Sequence, residues 1–295
     1  MLNSYNIEIW YKGKRRYKDI EMKHIITNTL YLLYKLRILS YSQFKTQVNF
    51  LIIVCLLLTH NNMLAQSKSF KEQQLLNSRV KTAYADKERT VKQYFKDKQI
   101  EFKNFKLLLI AYKTEALIEA WIKPSNKDTF ILLKQFPICS SSGTIGPKRK
   151  QGDYQVPEGF YHIDRFNPYS NFYLSLGVNY PNSSDKILGE KGNLGGDIFI
   201  HGSCVTIGCM PITDELIKEL YILAVEAKNN GQQDIPVFIF PAKLTDENYN
   251  KLKPKYSEKS LVMLLENLKT GYDYFQSKKT LPKISVNTNG SYSIK

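Results

Sequence analysis

Two different hydrophobic periods divide the chain after its first 67 residues. Residues 68–98 scatter Leu75, Val80, Ala83, Val91 and Tyr94 among charged positions, a spacing that predicts a helix. From 100 to 139 the period shortens. The runs FKLLLIAYK, ALIEAWIK and FILLKQFPIC are β-prone, and polar turn material separates them. Two more strand-like runs, 160-FYHIDRF-166 and 172-FYLSLGV-178, lie between loop-rich segments at 140–159 and 177–196. The run IFIHG adds a strand near 198–202, and 235-IPVFIFP-241 adds another. The strongest helical pattern is 212–228, where Leu216, Leu220, Leu223 and Ala227 share a face and Thr213 or Asp214 can cap the start. A second helix is predicted over 258–275. No internal repeat or clear linker interrupts the series, so the expected class is mainly β with flanking helices, α+β.

The first 65 residues differ in kind. A basic lead-in from Lys12 to Lys45 precedes the apolar run 50-FLIIVCLLL-58, too short to span a bilayer comfortably and suited to the core of a signal peptide. The stretch 63-MLA-65 offers a cleavage site before Gln66, and translation from Met22 would shorten the long lead-in. An uncleaved anchor and an N-terminal extension are the alternatives, and a lipoprotein reading through Cys55 is weaker because bulky Val54 precedes it. The expected location is therefore the periplasm or cell envelope. The chain carries a net charge of +15, and nine of its basic residues lie in the leader. What remains suits solubility and attraction to anionic envelope polymers. No basic–aromatic motif accompanies the charge, which argues against nucleic-acid binding.

Export sharpens the chemistry. Without the leader the histidines are His162 and His201, and the cysteines are Cys139, Cys204 and Cys209. Three thiols cannot all pair within one chain, so an exported form leaves at least one unpaired or bonded to another molecule. The stretch 198-IFIHGSCVTIGCMPITDELIKELY-221 supplies what a cysteine nucleophile needs. His201 ends an apolar strand, Gly208 gives the backbone freedom beside Cys209, and a helix opening near Ile212 would bring its positive end toward the sulfur. His201 is the better base, with His162 as the other candidate. Other readings of the same residues are a Cys204–Cys209 disulfide, and a zinc site drawn from His201, Cys204 and Cys209 with Cys139 or His162, although the spacing matches no common ligand pattern. Cys139 reads as a buried free thiol acting as a small hydrophobe. Pro157-Glu158-Gly159 reads as a turn before a strand, and Lys148, Arg149 and Lys150 as a solvated charge run.

The set His201-Gly202…Thr206-Ile207-Gly208-Cys209, followed by a helix with Asp214 and Tyr221, resembles the signature of the YkuD-type L,D-transpeptidases. The short His-to-Cys spacing is similar to the YafK-like branch. So are 146-GPKRKQGDYQVPEGFYHI-163 and 167-NPYSNFYLSLGVNYPNSSD-185. The resemblance implies a β-sandwich-like catalytic fold over 101–245, between a helical segment at 66–100 and a C-terminal helix-containing extension at 246–295. It implies a Cys209 thioester formed on a peptidoglycan stem peptide, His201 as general base, and Gly208 and Gly202 supporting the oxyanion through the backbone. Thr206, His162 and Lys148 are the candidate substrate contacts. Neither metal nor cofactor is implied. The implied partners are stem peptides and a wall-linked envelope protein, with no nucleic acid and no membrane span after cleavage. The chain departs from the wider family at Ile207, where many members carry His, and at Pro211, where many carry Arg. The second departure removes a cation that would grip a substrate carboxylate. It gives weight to water as the acceptor, which would make the protein a peptidoglycan hydrolase. A peptidoglycan-binding module without chemistry is the remaining alternative.

Overall fold

The computed structural model describes residues 27–28, 45–46, 48–52 and 68–295. The expected signal core, Cys55 and the cleavage site at Ala65 lie outside the described residues, apart from 50–52. Among the described residues no helix is long and apolar enough to cross a membrane. Residues Lys68–Lys295 form one compact unit.

Eight strands of that unit make one curled sheet. They are β1 (Phe105–Tyr112), β2 (Leu117–Pro124), β3 (Ile131–Pro137), β4 (Gly159–Asn167), β5 (Ser175–Val178), β6 (Phe199–His201), β7 (Met210–Pro211) and β8 (Ile235–Phe240). Their spatial order is β3-β2-β1-β8-β4-β5-β6-β7. Neighbours run antiparallel except β1 with β8 and β6 with β7, which are parallel. The FKLLLIAY run of β1 is apolar on both faces because both faces are covered. Leu107, Leu109 and Ala111 enter one core, and Leu108, Ile110 and Tyr112 enter the other.

The first core is roofed by α2 (Ser78–Asp97) and α4 (Asp214–Asn229), which pack together. The periodic pattern at 68–98 is split in two: α1 (Phe70–Gln74) ends at Leu75, and Asn77 starts α2 by accepting the Arg79 N–H through its side chain. Burial on α4 extends all round from Ile217 to Ala227, and its polar groups there find partners. Glu226 accepts from the Tyr84 hydroxyl at 3.0 Å, and Lys218 pairs with Asp86 at 2.8 Å. The second core lies under α5 (Asp246–Leu252) and α6 (Lys259–Lys278), with a hairpin of β9 (Ile284–Val286) and β10 (Tyr292–Ile294). A short helix, α3 (Ser183–Leu188), follows β5. The α+β class stands, with the strands joined edge to edge in a single curled sheet. The β5-β6-β7 end of that sheet carries the candidate site.

Candidate active site

Strand register decides which side chains share a face. Leu176, Ile200 and Met210 align across β5, β6 and β7 and point into the α2/α4 core. The alternating positions Phe199 and His201 must then face the other way, as must Cys209 immediately before Met210. Two contacts support this placement for the sulfur. The Phe199 N–H donates to Cys209 Sγ at 3.4 Å, and the thiol donates a hydrogen bond to the Asp197 carbonyl oxygen at 3.5 Å.

Cys209 is half-buried in a cavity of about 260 Å³, whose walls include Lys148, Gln151, Tyr154, Asp197, Ile198 and Ile207. Burial pushes the thiol above its ordinary 9.0. The Phe199 N–H and the Lys148 charge work against that rise, and the Asp197 charge adds to it. The resting sulfur is therefore a thiol at neutral pH. His201 is only 1% exposed, and burial moves it below its ordinary 6.5. Its Nδ1 lies 2.5 Å from the Gly202 carbonyl oxygen. A carbonyl only accepts, so Nδ1 carries the hydrogen and Nε2 of the neutral ring is the free base. Phe172 stacks on the imidazole with ring centroids 4.6 Å apart. A neutral imidazole at the end of β6 and a neutral thiol immediately before β7 are thus offset by about 7 Å along the strand direction. No direct hydrogen bond joins the two among the described residues, as is common before substrate binds.

The loop between them is held by its own polar groups. Gly208 adopts φ +136°, which L side chains rarely reach, and a Cβ there would lie 3.1 Å from the Gln155 carbonyl oxygen. Its N–H donates to Thr206 Oγ1 at 3.1 Å, and that hydroxyl donates onward to the Cys209 carbonyl at 2.8 Å. The Thr206 side chain thus braces the loop between Gly208 and Cys209. Gly202 has no room for a side chain, since a Cβ would stand 2.5 Å from Asp214 Oδ1. That carboxylate accepts the Ser203 N–H at 2.8 Å. The helix does not open against the sulfur as expected. Met210 and Pro211 first form β7, Thr213 then caps α4, and the first helical residue, Asp214, meets the turn after His201.

Cys139 and Cys204 are joined in a disulfide with Cα atoms 5.5 Å apart. This corrects two readings: Cys139 is neither free nor buried, and Cys204 pairs with it rather than with Cys209. The Cys139 N–H donates to the Pro211 carbonyl at 3.0 Å, and this lays the 139 region along β7 within reach of the 204 loop. The bridge also consumes two thiols that a zinc site would need. Cys209 is left as the free cysteine among the described residues.

Lys148 belongs to the cavity wall, not to a solvated run. Its ammonium is 2.7 Å from Asp153 Oδ1 and 2.7 Å from the Lys150 carbonyl, and the residue is 5% exposed. Asp153 also collects the N–H groups of Arg149, Lys150 and Gln155. His162 is placed elsewhere, lining a separate cavity between β4, β8 and the C-terminal hairpin. Glu158, read as part of a plain turn, is buried and binds Lys113 at 2.9 Å, the Gly146 N–H at 2.9 Å and the Tyr256 hydroxyl at 2.7 Å. Asp197, Phe199 and Phe172 carry no motif that would have marked them. They enter the site through register and loop geometry alone.

The YkuD L,D-transpeptidase catalytic domain matches residues 119–239. YafK of Escherichia coli (strain K12), named as a candidate L,D-transpeptidase, is 36% identical over 185 residues, which cover 62% of this chain and 71% of YafK. Among solved structures, the helical cell shape determining protein Pgp2 from Campylobacter jejuni covers 66% of this chain and 80% of its own at 17% identity and a TM-score of 0.37. Bd1075 of Bdellovibrio bacteriovorus covers 62% and 77% at 16% identity and a TM-score of 0.34. Structural likeness at that level carries no functional argument. The family match and the identity to YafK do: this chain belongs to the YkuD family of L,D-transpeptidase catalytic domains.

Proposed function

We propose that the protein is an exported cysteine acyltransferase acting on peptidoglycan stem peptides, with Cys209 as nucleophile and His201 as general base. The observation that carries this reading is the pairing of Cys139 with Cys204, which leaves Cys209 as the one unbridged thiol among the described residues, in a cleft beside the strand that ends in a neutral, tautomer-fixed imidazole.

The chemistry follows from those states. His201 Nε2 takes the thiol proton as the sulfur attacks the carbonyl carbon of the scissile L,D bond. The tetrahedral oxyanion needs amide donors. Because the Gly208 N–H is engaged by Thr206, the Cys209 N–H is the nearer candidate. Collapse breaks the C–N bond, and the departing amine takes the proton from the imidazolium, leaving a thioester. An incoming amine then gives its proton to His201, attacks the thioester and releases the sulfur, which regains its proton. The product is a cross-linked stem peptide or a protein joined to the wall, and the site of action is the periplasm or envelope.

Hydrolysis is the second reading, and a specific observation favours it. Pro211 stands where a cation was expected, and the Lys148 ammonium in the cavity wall is already matched by Asp153. Neither offers an unpaired charge for an acceptor carboxylate. Incubation with defined muropeptides, with and without an amine acceptor, decides between the two. A Cys209 acyl adduct and new dimers in mass spectra support transfer, and an adduct followed by simple cleavage supports hydrolysis. Muropeptides left intact, with no mass added to Cys209, would sink both.

A further inference from the structure

The base of the proposed site has a neighbour whose hydroxyl is unaccounted for. Ser175 on β5 is paired with His201 on β6. The bonds on either side, Gly202 N–H to Leu174 O at 3.1 Å and Val178 N–H to Ile198 O at 2.8 Å, identify Ser175·His201 as a non-hydrogen-bonded antiparallel pair. In such pairs the two side chains stand on the same face at the closest cross-strand spacing. Ser175 is 1% exposed, as is His201, and its Oγ is among the few buried side-chain oxygens without a partner among the described residues. A buried hydroxyl left unmet is costly, and such orphans concentrate where function needs them.

We propose that Ser175 is a positioning residue for His201. This rests on His201 acting as the base. Ser175 stands on the β5 side of the imidazole, and Cys209 belongs to the β7 side. The strand order therefore reads orienting group, base, nucleophile. Unpartnered while the ring is neutral, the Ser175 oxygen would join the Gly202 carbonyl as an acceptor for the Nδ1–H edge once the ring is charged, leaving Nε2 to the thiol. When Nε2 takes the Cys209 proton, the ring becomes a stronger donor, and both acceptors hold it more tightly. Among the described residues no carboxylate bonds to the imidazole, and the Asp214 carboxylate at the turn after His201 accepts the Ser203 N–H instead.

Two measurements test the proposal. The first is an NMR titration of the His201 imidazole, assigned with a His201→Gln variant, and it requires no substrate. Ser175→Ala should lower the titration midpoint by about half a pH unit or more, roughly a threefold change in proton affinity. Ser175→Thr keeps the hydroxyl and should return the midpoint toward that of the native protein. The second is the rate of Cys209 acylation by a defined muropeptide. Ser175→Ala should cut kcat about three- to tenfold, leave KM unchanged and move the acid limb of the profile to lower pH. An unchanged midpoint in a Ser175→Ala protein with native circular dichroism overturns the assignment, whether or not the protein is active. Failure of the native protein to acylate at all would instead strike the acyltransferase reading, and the imidazole titration would still decide the role of Ser175.

Discussion

Removing the Cys139–Cys204 bridge should be expensive for stability, and the amount can be worked from its place in the chain. The bridge closes a loop with a sequence separation of 65 residues. In the chain-entropy account, cutting such a loop returns roughly 4 kcal/mol of conformational freedom to the unfolded state. For a unit of this size, that corresponds to a fall in Tm of about 8–16 °C. The double variant Cys139→Ser/Cys204→Ser is the clean perturbation. A single change would free a thiol next to the site, and Cys204 released alone would sit in the same loop as Cys209. Urea unfolding followed by circular dichroism measures the loss, and melting of the native protein under reductant should reproduce it. Activity should fall as well, because the bridge fastens the loop between His201 and Cys209 to the segment that runs along β7. A double variant that unfolds within about 1 kcal/mol of the native protein would refute the reasoning, since a 65-residue loop cannot be that cheap unless the unfolded chain is already compact there.

Further outcomes follow from the site and its supports. Iodoacetamide should alkylate Cys209 faster as pH rises, with a midpoint above 9.0 in the absence of substrate, because burial disfavours the thiolate; a midpoint well below 8 would mean a preformed thiolate–imidazolium pair. His201→Ala should lower acylation by about two to four decades, the usual span for a lost base, and a rate near that of the native protein would remove His201 from the mechanism. Gly208→Ala should abolish acylation, because the buried backbone at φ +136° beside Cys209 must shift to take a side chain 3.1 Å from the Gln155 carbonyl; equal activity would show that the backbone at 208 relaxes without cost. Burial pushes the Asp185 carboxyl up to about 6 from its ordinary 3.8. The folded state thus holds this proton more tightly than the unfolded state, so the group's contribution is full below 3.8 and is lost as pH climbs through about 6. The loss amounts to about 3 kcal/mol. Asp185→Asn should flatten stability between pH 4 and 7, and an unchanged slope of urea midpoint against pH would exclude Asp185 as its source.

What could be read from the sequence was whatever the local pattern over-determines. The β1 run FKLLLIAY admits no soluble arrangement except burial on both faces, and the heavily apolar 212–228 segment admits little besides a packed helix. The triplet of imidazole, glycine and thiol was visible because those residue types have few other reasons to gather. The remainder depends on which distant segments lie side by side, and no local period encodes that. That Thr206 braces its loop is invisible in a string, because only the fold shows its hydroxyl set between Gly208 and Cys209. Lys148 reads as one cation in a solvated run until Asp153, in the same loop, folds back beneath it. The Cys139–Cys204 pairing follows from the 139 region lying along β7, a two-residue strand too short to leave a periodic trace. Ser175 is the sharpest instance. In the run FYLSLGV it is simply a polar residue on an alternating strand, and a register shift of one residue would turn it into the core and away from His201. Its chemical significance is therefore a property of strand pairing, set by the buried row Leu176, Ile200 and Met210 on the opposite face. The apolar row that stabilises this end of the sheet is also what aligns the serine, the imidazole and the sulfur.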